Sequence, residues 1–531
     1  MTLTRREVLA QLAALTAMSG LSRRAWAGTA PDPLRGTIAD YRAGLERGEF
    51  TAEQVTGQAL DRCRTDGMAW RAIDALSHTA LADARAADER RRAGRSRGAL
   101  DGVPVFAKSI YDMSGLPTTA SSAEWARLYP EPVRRDAMEI ARLRAAGAIV
   151  LGKTAADDFA YRGNGTSSHT GQVLNPYDPT GTRTPGGSSA GSAVAVAGGM
   201  AFAALGTDDG GSNRIPAQFT GVVGMKPSFG LVPRTGVIPT WPYLDTHGPL
   251  ARSVADAALL LAAIAGSDPS DPLARGDALH TPRADDDALA GVRLGLVDAH
   301  VPRAQMTAEA LSAWDSASGD LRSAGAMLIP FAPAVTRINV REVFASTARE
   351  RGDAAPDSRS PAPTANALYL YFAGRSDEPE AAVRRGYDAY RTFYDVLPER
   401  YADCEPLLRQ PMANDAAGQS FARSRTAAVA ALGASMRAAG VVAMVYPTMP
   451  FNAPRAVDDW PDIRTTLGYG NWLGLPEVSV PAGYGADGMP ALNLSIVGLP
   501  GDDATVLALA HAYERQSRNF VAPPRPAAAP R

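Results

Sequence analysis

Two glycine-flanked serines and one lysine are the residues of this chain whose types and spacing suit chemistry. Ser188 lies in Pro185-Gly186-Gly187-Ser188-Ser189-Ala190-Gly191-Ser192. Ser212 lies in Gly206-Thr207-Asp208-Asp209-Gly210-Gly211-Ser212-Asn213-Arg214-Ile215-Pro216-Ala217, and Lys108 closes Gly102-Val103-Pro104-Val105-Phe106-Ala107-Lys108. A serine hydroxyl is a poor nucleophile until a nearby base takes its proton. A neutral lysine amine is such a base, and a second hydroxyl can relay the proton, so the set suffices for serine hydrolysis without histidine, metal or organic cofactor. Lysine accepts a proton only when uncharged, a state that desolvation favours. Val103, Val105 and Phe106 supply the apolar surroundings such burial needs. The backbone N–H groups of Asp209, Gly210, Gly211 and Ser212 form a candidate oxyanion hole, because glycines let the chain approach a substrate carbonyl closely. Asp208 and Arg214 read as an ion pair bracing this turn.

Two other motif matches fail on their physics. Gly147-Ala148-Ile149-Val150-Leu151-Gly152-Lys153-Thr154 fits the phosphate-loop pattern letter for letter, but Ala-Ile-Val-Leu between the glycines reads as a strand, not as a loop whose amides cradle phosphate. Gly187-Ser188-Ser189-Ala190-Gly191 fits the nucleophile elbow Gly-x-Ser-x-Gly, which should follow an apolar strand and be completed by an acid and a histidine. Turn chemistry, Gly181-Thr182-Arg183-Thr184-Pro185-Gly186, precedes it instead. A triad esterase of the α/β-hydrolase kind using Ser189 and one of His247, His280, His300 or His511 is the rival reading.

The elements that must position these groups alternate between helices and short apolar runs, which predicts an α/β protein around a sheet. Residues 36–97 read as helices. Strands are expected at Val103–Phe106, Ala148–Leu151, Met200–Leu205, Val292–Val297, Val441–Tyr446 and Glu477–Val480, and helices at Met138–Ala146 and Ser189–Ala197. A Pro/Ser/Ala loop from Asp353 to Thr364 sits in a helical insert spanning about 300–440. The sheet signal returns after it, so one fold with an inserted cap is expected rather than two separate domains.

The lysine after Gly-Val-Pro, the Gly-Gly-Ser-Ser run and the Gly-Thr-Asp-x-Gly-Gly-Ser-x-Arg-x-Pro-Ala segment together resemble the amidase signature family. Gly224-Met225-Lys226-Pro227-Ser228-Phe229-Gly230 and Leu244-Asp245-Thr246-His247-Gly248-Pro249-Leu250-Ala251-Arg252 extend the match, which is dense over residues 100–262 and thin over 265–440. The resemblance implies the amidase signature fold, a large mixed β-sheet core flanked by helices. It also implies roles: Ser212 as nucleophile, Ser188 as bridging hydroxyl held by a cis peptide bond, and Lys108 as ultimate base. The implied reaction cleaves the C–N bond of a carboxamide, a small amide or an amidated peptide, through an acyl-enzyme on Ser212. No cofactor and no metal are called for. Three positions depart from the family pattern: Ser109 where aspartate is usual, Ala190 in place of glycine and Thr220 where cysteine is common. With all three core residues present, a catalytically silent binding protein is disfavoured. Tyr446, Phe451, Tyr469 and Trp472 are candidates for an aromatic-tolerant substrate pocket and equally for core.

The first residues read as an address. Paired arginines in Thr4-Arg5-Arg6-Glu7-Val8-Leu9 precede a mildly apolar run to Leu21, too short for a permanent anchor, and Ala25-Trp26-Ala27 is a small-x-small cleavage site. This resembles a bacterial twin-arginine export signal over residues 1–27. It implies engagement of the export machinery, cleavage near Ala27-Gly28, a periplasmic or secreted amidase domain over 28–521, and a disordered Pro/Ala tail over 522–531. Across 531 residues the formal net charge is −2 and basic residues are scattered, so no nucleic-acid partner is expected. Two cysteines, Cys63 and Cys404, are too few for a disulfide framework and read as unpaired thiols.

Overall fold

The computed structural model describes residues 32–276, 279, 287–356, 371, 381, 416–457 and 464–524. The export segment, Cys404, His280 and the centre of the insert lie outside the described residues. Thirteen strands occur among them: β1 Ile73–Leu76, β2 Pro104–Lys108, β3 Ile149–Thr154, β4 Thr166–Ser167, β5 Gly171–Gln172, β6 Ala203–Thr207, β7 Val223–Lys226, β8 His247–Ala251, β9 Arg293–Leu296, β10 Met327–Pro330, β11 Ala443–Pro447, β12 Glu477–Tyr484 and β13 Pro490–Val497. Eleven of them form one sheet in the order β1-β3-β2-β6-β8-β7-β12-β13-β11-β9-β10, and β4 and β5 make a separate ribbon. The sheet is mixed. β3, β2 and β6 are parallel neighbours, as are β11, β9 and β10, while β6–β8 and the pairs from β7 to β13 are antiparallel.

Parallel neighbours require crossovers, and the chain supplies helices for them: Met138–Ala145 between β2 and β3, and Ala190–Ala197 between β3 and β6. The second of these is buried along its whole length. Its run of Ala, Gly, Ser and Val keeps it thin enough to lie against the sheet. Helix Val254–Ile264 is also almost entirely buried. Among the described residues no helix is long and apolar enough to cross a membrane.

Three expectations shift. The strand expected at Met200–Leu205 runs from Ala203 to Thr207. Gly199 adopts φ +70 and the Met200 amide closes the preceding helix onto the Ala195 carbonyl, so the apolar residues at 200–202 belong to the turn. The insert is not purely helical, since β10 lies inside it and closes one edge of the main sheet. Its residues carry little sign of this because the strand is half-exposed, with Met327 44% accessible. The start of the tail is fastened: the Tyr177 hydroxyl donates to the Val521 carbonyl, and the Pro523 carbonyl accepts from Arg35 at 3.3 Å. Residues 525–531 lie outside the described residues.

Candidate active site

Lys108 ends β2, a strand buried at all five positions and flanked by β3 and β6. Its ammonium end is wholly inaccessible and donates to Ser188 Oγ at 2.7 Å and to Thr207 Oγ1 at 2.8 Å. Burial pulls its pKa down to about 8. Neutral Lys108 is thus accessible near physiological pH. Ser109 contributes no charge. Its hydroxyl accepts from Ser121 Oγ at 2.8 Å, and its amide donates to the Thr154 carbonyl, fixing the strand end.

Ser188 is fully buried, and the Gly187–Ser188 peptide is cis, in agreement with the resemblance. A Cβ on Gly187 would run into Asp157 Oδ2. The Asp157 amide donates to the Ser188 carbonyl at 3.2 Å, so the two segments are packed backbone to backbone. Burial raises the Asp157 carboxyl to about 7. Ala190, where glycine is usual, has its methyl against Gly165, the position at which a further Cβ would find no room.

Ser189 is not set up as a nucleophile. Its hydroxyl donates to the Thr207 carbonyl and Asn213 Oδ1, each at 3.2 Å, and accepts from the Thr207 amide at 3.2 Å. No histidine adjoins it among the described residues. His247 bonds Glu139 at 2.6 Å, His169 lies 3.8 Å from Asp74, His511 is on a helix 4.0 Å from Glu514, and His300 stacks on Tyr446. These placements leave the triad-esterase alternative without a histidine among the described residues; His280 lies outside them.

The Ser212 turn is built around Asp208. Its carboxylate accepts from the Gly211 amide at 2.8 Å, the Asn213 amide at 3.1 Å and the Arg214 guanidinium at 2.8 and 2.9 Å. Arg214 in turn reaches Glu477 at 2.6 Å and Asn471 at 2.7 Å. Burial alone would favour the neutral acid, but the Arg214 guanidinium holds the Asp208 carboxyl far below the usual carboxylate range. The expected Asp208–Arg214 brace is present. Glu477, Asn471 and Lys226 belong to the same buried group and were not singled out from the sequence, although Lys226 lies in a matched segment.

The candidate oxyanion hole needs one correction. The Gly211 amide is engaged by Asp208, and Gly211 is required for a different reason: its φ is +115, and a Cβ there would strike Leu467. The Asp209, Gly210 and Ser212 amides have no acceptor among the described residues. Ser212 is 7% exposed, and its carbonyl accepts from the Ser189 amide at 3.2 Å, which joins the two serine segments. Its hydroxyl is bonded to no described residue. A Cβ on Gly210 would meet nothing within 4 Å. The space beside Gly210 is therefore open. Gly210→Ala is expected to cut kcat/KM by about tenfold or more while moving the unfolding midpoint by less than about 0.5 kcal/mol equivalent. Parallel kinetics and urea melts check this.

Other sequence candidates are structural. Lys153 of the phosphate-loop match lies inside β3, with its amine on the Pro117 carbonyl at 2.7 Å and Thr118 Oγ1 at 2.8 Å. Tyr446 and Tyr469 are fully buried, with hydroxyls on Glu477 at 3.1 Å and the Val335 carbonyl at 2.9 Å. Trp472 packs edge-on against Phe344 and Phe421, and Phe451 lies beside Phe219. Tyr446 and Tyr469 are therefore core, while Phe451 and Trp472 remain half-buried. Thr220 returns its hydroxyl to the Pro216 carbonyl at 2.6 Å. Thr207, the second partner of Lys108, was readable in the Gly-Thr-Asp segment but passed over.

Comparison with known proteins agrees with this geometry. The Amidase family profile matches residues 54–507. The chain is 34% identical over 510 residues to a glutamyl-tRNA(Gln) amidotransferase subunit of Chloroflexus aurantiacus, covering 92% of this chain and 98% of that one. Among solved structures it is similar to the peptide amidase of Stenotrophomonas maltophilia, with TM-score 0.73 and 31% identity over 93% of this chain and all of the other. An amidase family protein of Bacillus anthracis shares the fold at TM-score 0.73 and 23% identity over 97% of this chain and 98% of that one. The chain belongs to the amidase family, and amide C–N hydrolysis is its chemistry.

Proposed function

We propose that this protein hydrolyses carboxamides through a Ser212 acyl-enzyme, with Lys108 as base and Ser188 as relay. Neutral Lys108 takes the Ser188 proton as Ser188 takes that of Ser212, and Ser212 Oγ adds to the carbonyl carbon. The Asp209, Gly210 and Ser212 amides meet the oxygen as it gains charge, where such donors act most strongly. The C–N bond breaks as the proton returns through Ser188 to the departing nitrogen. Water activated along the same route then releases the carboxylate. The observation that carries this reading is the 2.7 Å bond from a fully buried Lys108 amine to Ser188 Oγ.

The base must be neutral, so activity rises with pH. With a pKa of about 8, kcat/KM is expected to climb through that value and to be roughly tenfold lower at pH 7 than its limit. Initial rates across a pH series check this.

Similarity to a peptide amidase supports C-terminally amidated peptides as substrates, and small aliphatic or aryl amides fit the same chemistry. The test is ammonia release from a panel of amidated peptides, simple amides and free glutamine. Turnover of the first two supports the proposal. Turnover of glutamine alone would assign the chain instead to the amidotransferase side of its family. The paired arginines and Ala25-Trp26-Ala27 support export to the periplasm. Mature protein beginning at Gly28, and its loss from that compartment on changing Arg5 and Arg6 to lysine, would establish it.

A further inference from the structure

The β6–β8 ladder is antiparallel with Thr207 opposite His247. It continues one step beyond the regular strands, since the Asp208 amide donates to the Thr246 carbonyl at 2.7 Å. One residue further along the two chains lie Asp209 and Asp245, whose side chains adjoin. Both residues are buried, at 4% and 5% exposure. Two ionised carboxylates so placed cannot both persist without water. Asp245 is already supplied with donors: its two oxygens accept from the Trp241 amide at 2.6 Å and the Thr240 amide at 3.1 Å. Neither Asp209 oxygen accepts from any N–H or O–H among the described residues. What faces Asp209 is the Asp245 carboxyl, and two carboxyls hydrogen-bond only when one carries a proton.

We propose that Asp209 is a neutral carboxylic acid donating its proton to the Asp245 carboxylate, and that this shared proton ties the nucleophile turn to the segment Thr240–Asp245 beside the base. Asp209 is then a positioning residue through its side chain. Burial, and then Asp245, push its acid far above the usual carboxylate range. The other groups facing the pair are Lys108 on β2, Tyr111 just beyond it, Asp208 in the same turn and Arg234 ahead of Thr240. The sense of any ionisation follows. Loss of the Asp209 proton breaks the tie and adds a negative charge near Lys108, which holds the amine in its charged, inactive form. Activity should therefore fall again on the alkaline side.

Only this activity arm rests on the amidase reading. An infrared difference spectrum at neutral pH, wild type minus Asp209→Asn, reads the acid directly. A protonated-carboxyl C=O band present in the wild type and lost in the variant is expected. In the Asp209→Asn protein, whose amide can still donate to Asp245, the alkaline fall in the pH profile should disappear while the rise through Lys108 remains. Should that variant misfold, Asp245→Asn removes instead the negative charge that holds the proton on Asp209 and offers it an N–H donor, and the same band should be lost near neutral pH. Absence of the band from the wild type, or an alkaline fall that survives in Asp209→Asn, overturns the proposal. If neither protein turns over any amide, the band still decides the proposal and the amidase reading fails separately.

Discussion

Ser212→Ala is expected to lower amide hydrolysis by about 10⁴-fold or more, because no other hydroxyl is placed to form the acyl-enzyme. That is at least about 5 kcal/mol of transition-state stabilisation. Lys108→Met should cost about 10²–10⁴, the range for a positioned general base. It replaces an amine with an apolar chain of similar length in a site already wholly buried, so the fold should survive. Ser189→Ala supplies the contrast. It removes a hydroxyl bonded to Thr207 and Asn213 and should reduce stability by about 1 kcal/mol while sparing most of the rate. Rates and urea melts on the three variants, measured together, separate chemistry from folding. A Ser189 variant that is dead while the Lys108 variant works would reverse the assignment.

Arg214→Met is expected to give the largest loss of stability, about 3–5 kcal/mol. Arg214, Asp208 and Glu477 have fully buried side chains, and the guanidinium bonds both carboxylates as well as Asn471 and the Leu467 carbonyl. Removing the cation leaves two acids without their counter-charge in a dry interior. The loss should appear as a lower urea midpoint at unchanged slope. Activity should fall with it, since Asp208 orders the Gly211 and Asn213 amides on either side of Ser212. The pH dependence has a definite sign. The folded Asp208 carboxyl is held below its ordinary value. Its contribution is therefore complete above the unfolded pKa of about 3.9 and is lost only as pH falls toward the depressed value. The native protein should resist mild acid, and the variant should not show this resistance.

Much of the site was legible because its parts are local in sequence. Glycines, serines and the Asp-to-Arg spacing in residues 185–217 specify a turn and its brace with little help from elsewhere. Lys108 was legible through the Gly-Val-Pro motif shared with the amidase signature family, with an apolar strand leading into it. Partners that arrive from distant strands were not: Glu477 from β12, Asn471 from the preceding helix, and Asp245 from the run-in to β8. Nothing in the spacing of such residues records which edge of an eleven-stranded sheet they meet. The Gly211 amide misled for a related reason, because a glycine pair suggests free donors, and only the fold shows Asp208 taking one of them. Tyr446 and Tyr469 could be read equally as pocket or core because side-chain type does not reveal burial; both are buried. β10 was missed since its half-exposed pattern resembles the helical surroundings it interrupts.

The most direct measurement is the site and rate of covalent labelling by a serine-reactive fluorophosphonate, read by mass spectrometry across pH. The account predicts one adduct, on Ser212, forming at a rate that rises through about pH 8 and collapses in Lys108→Met. An adduct on Ser189, or labelling of Ser212 that proceeds undiminished without the lysine, would show that the buried amine is not the base.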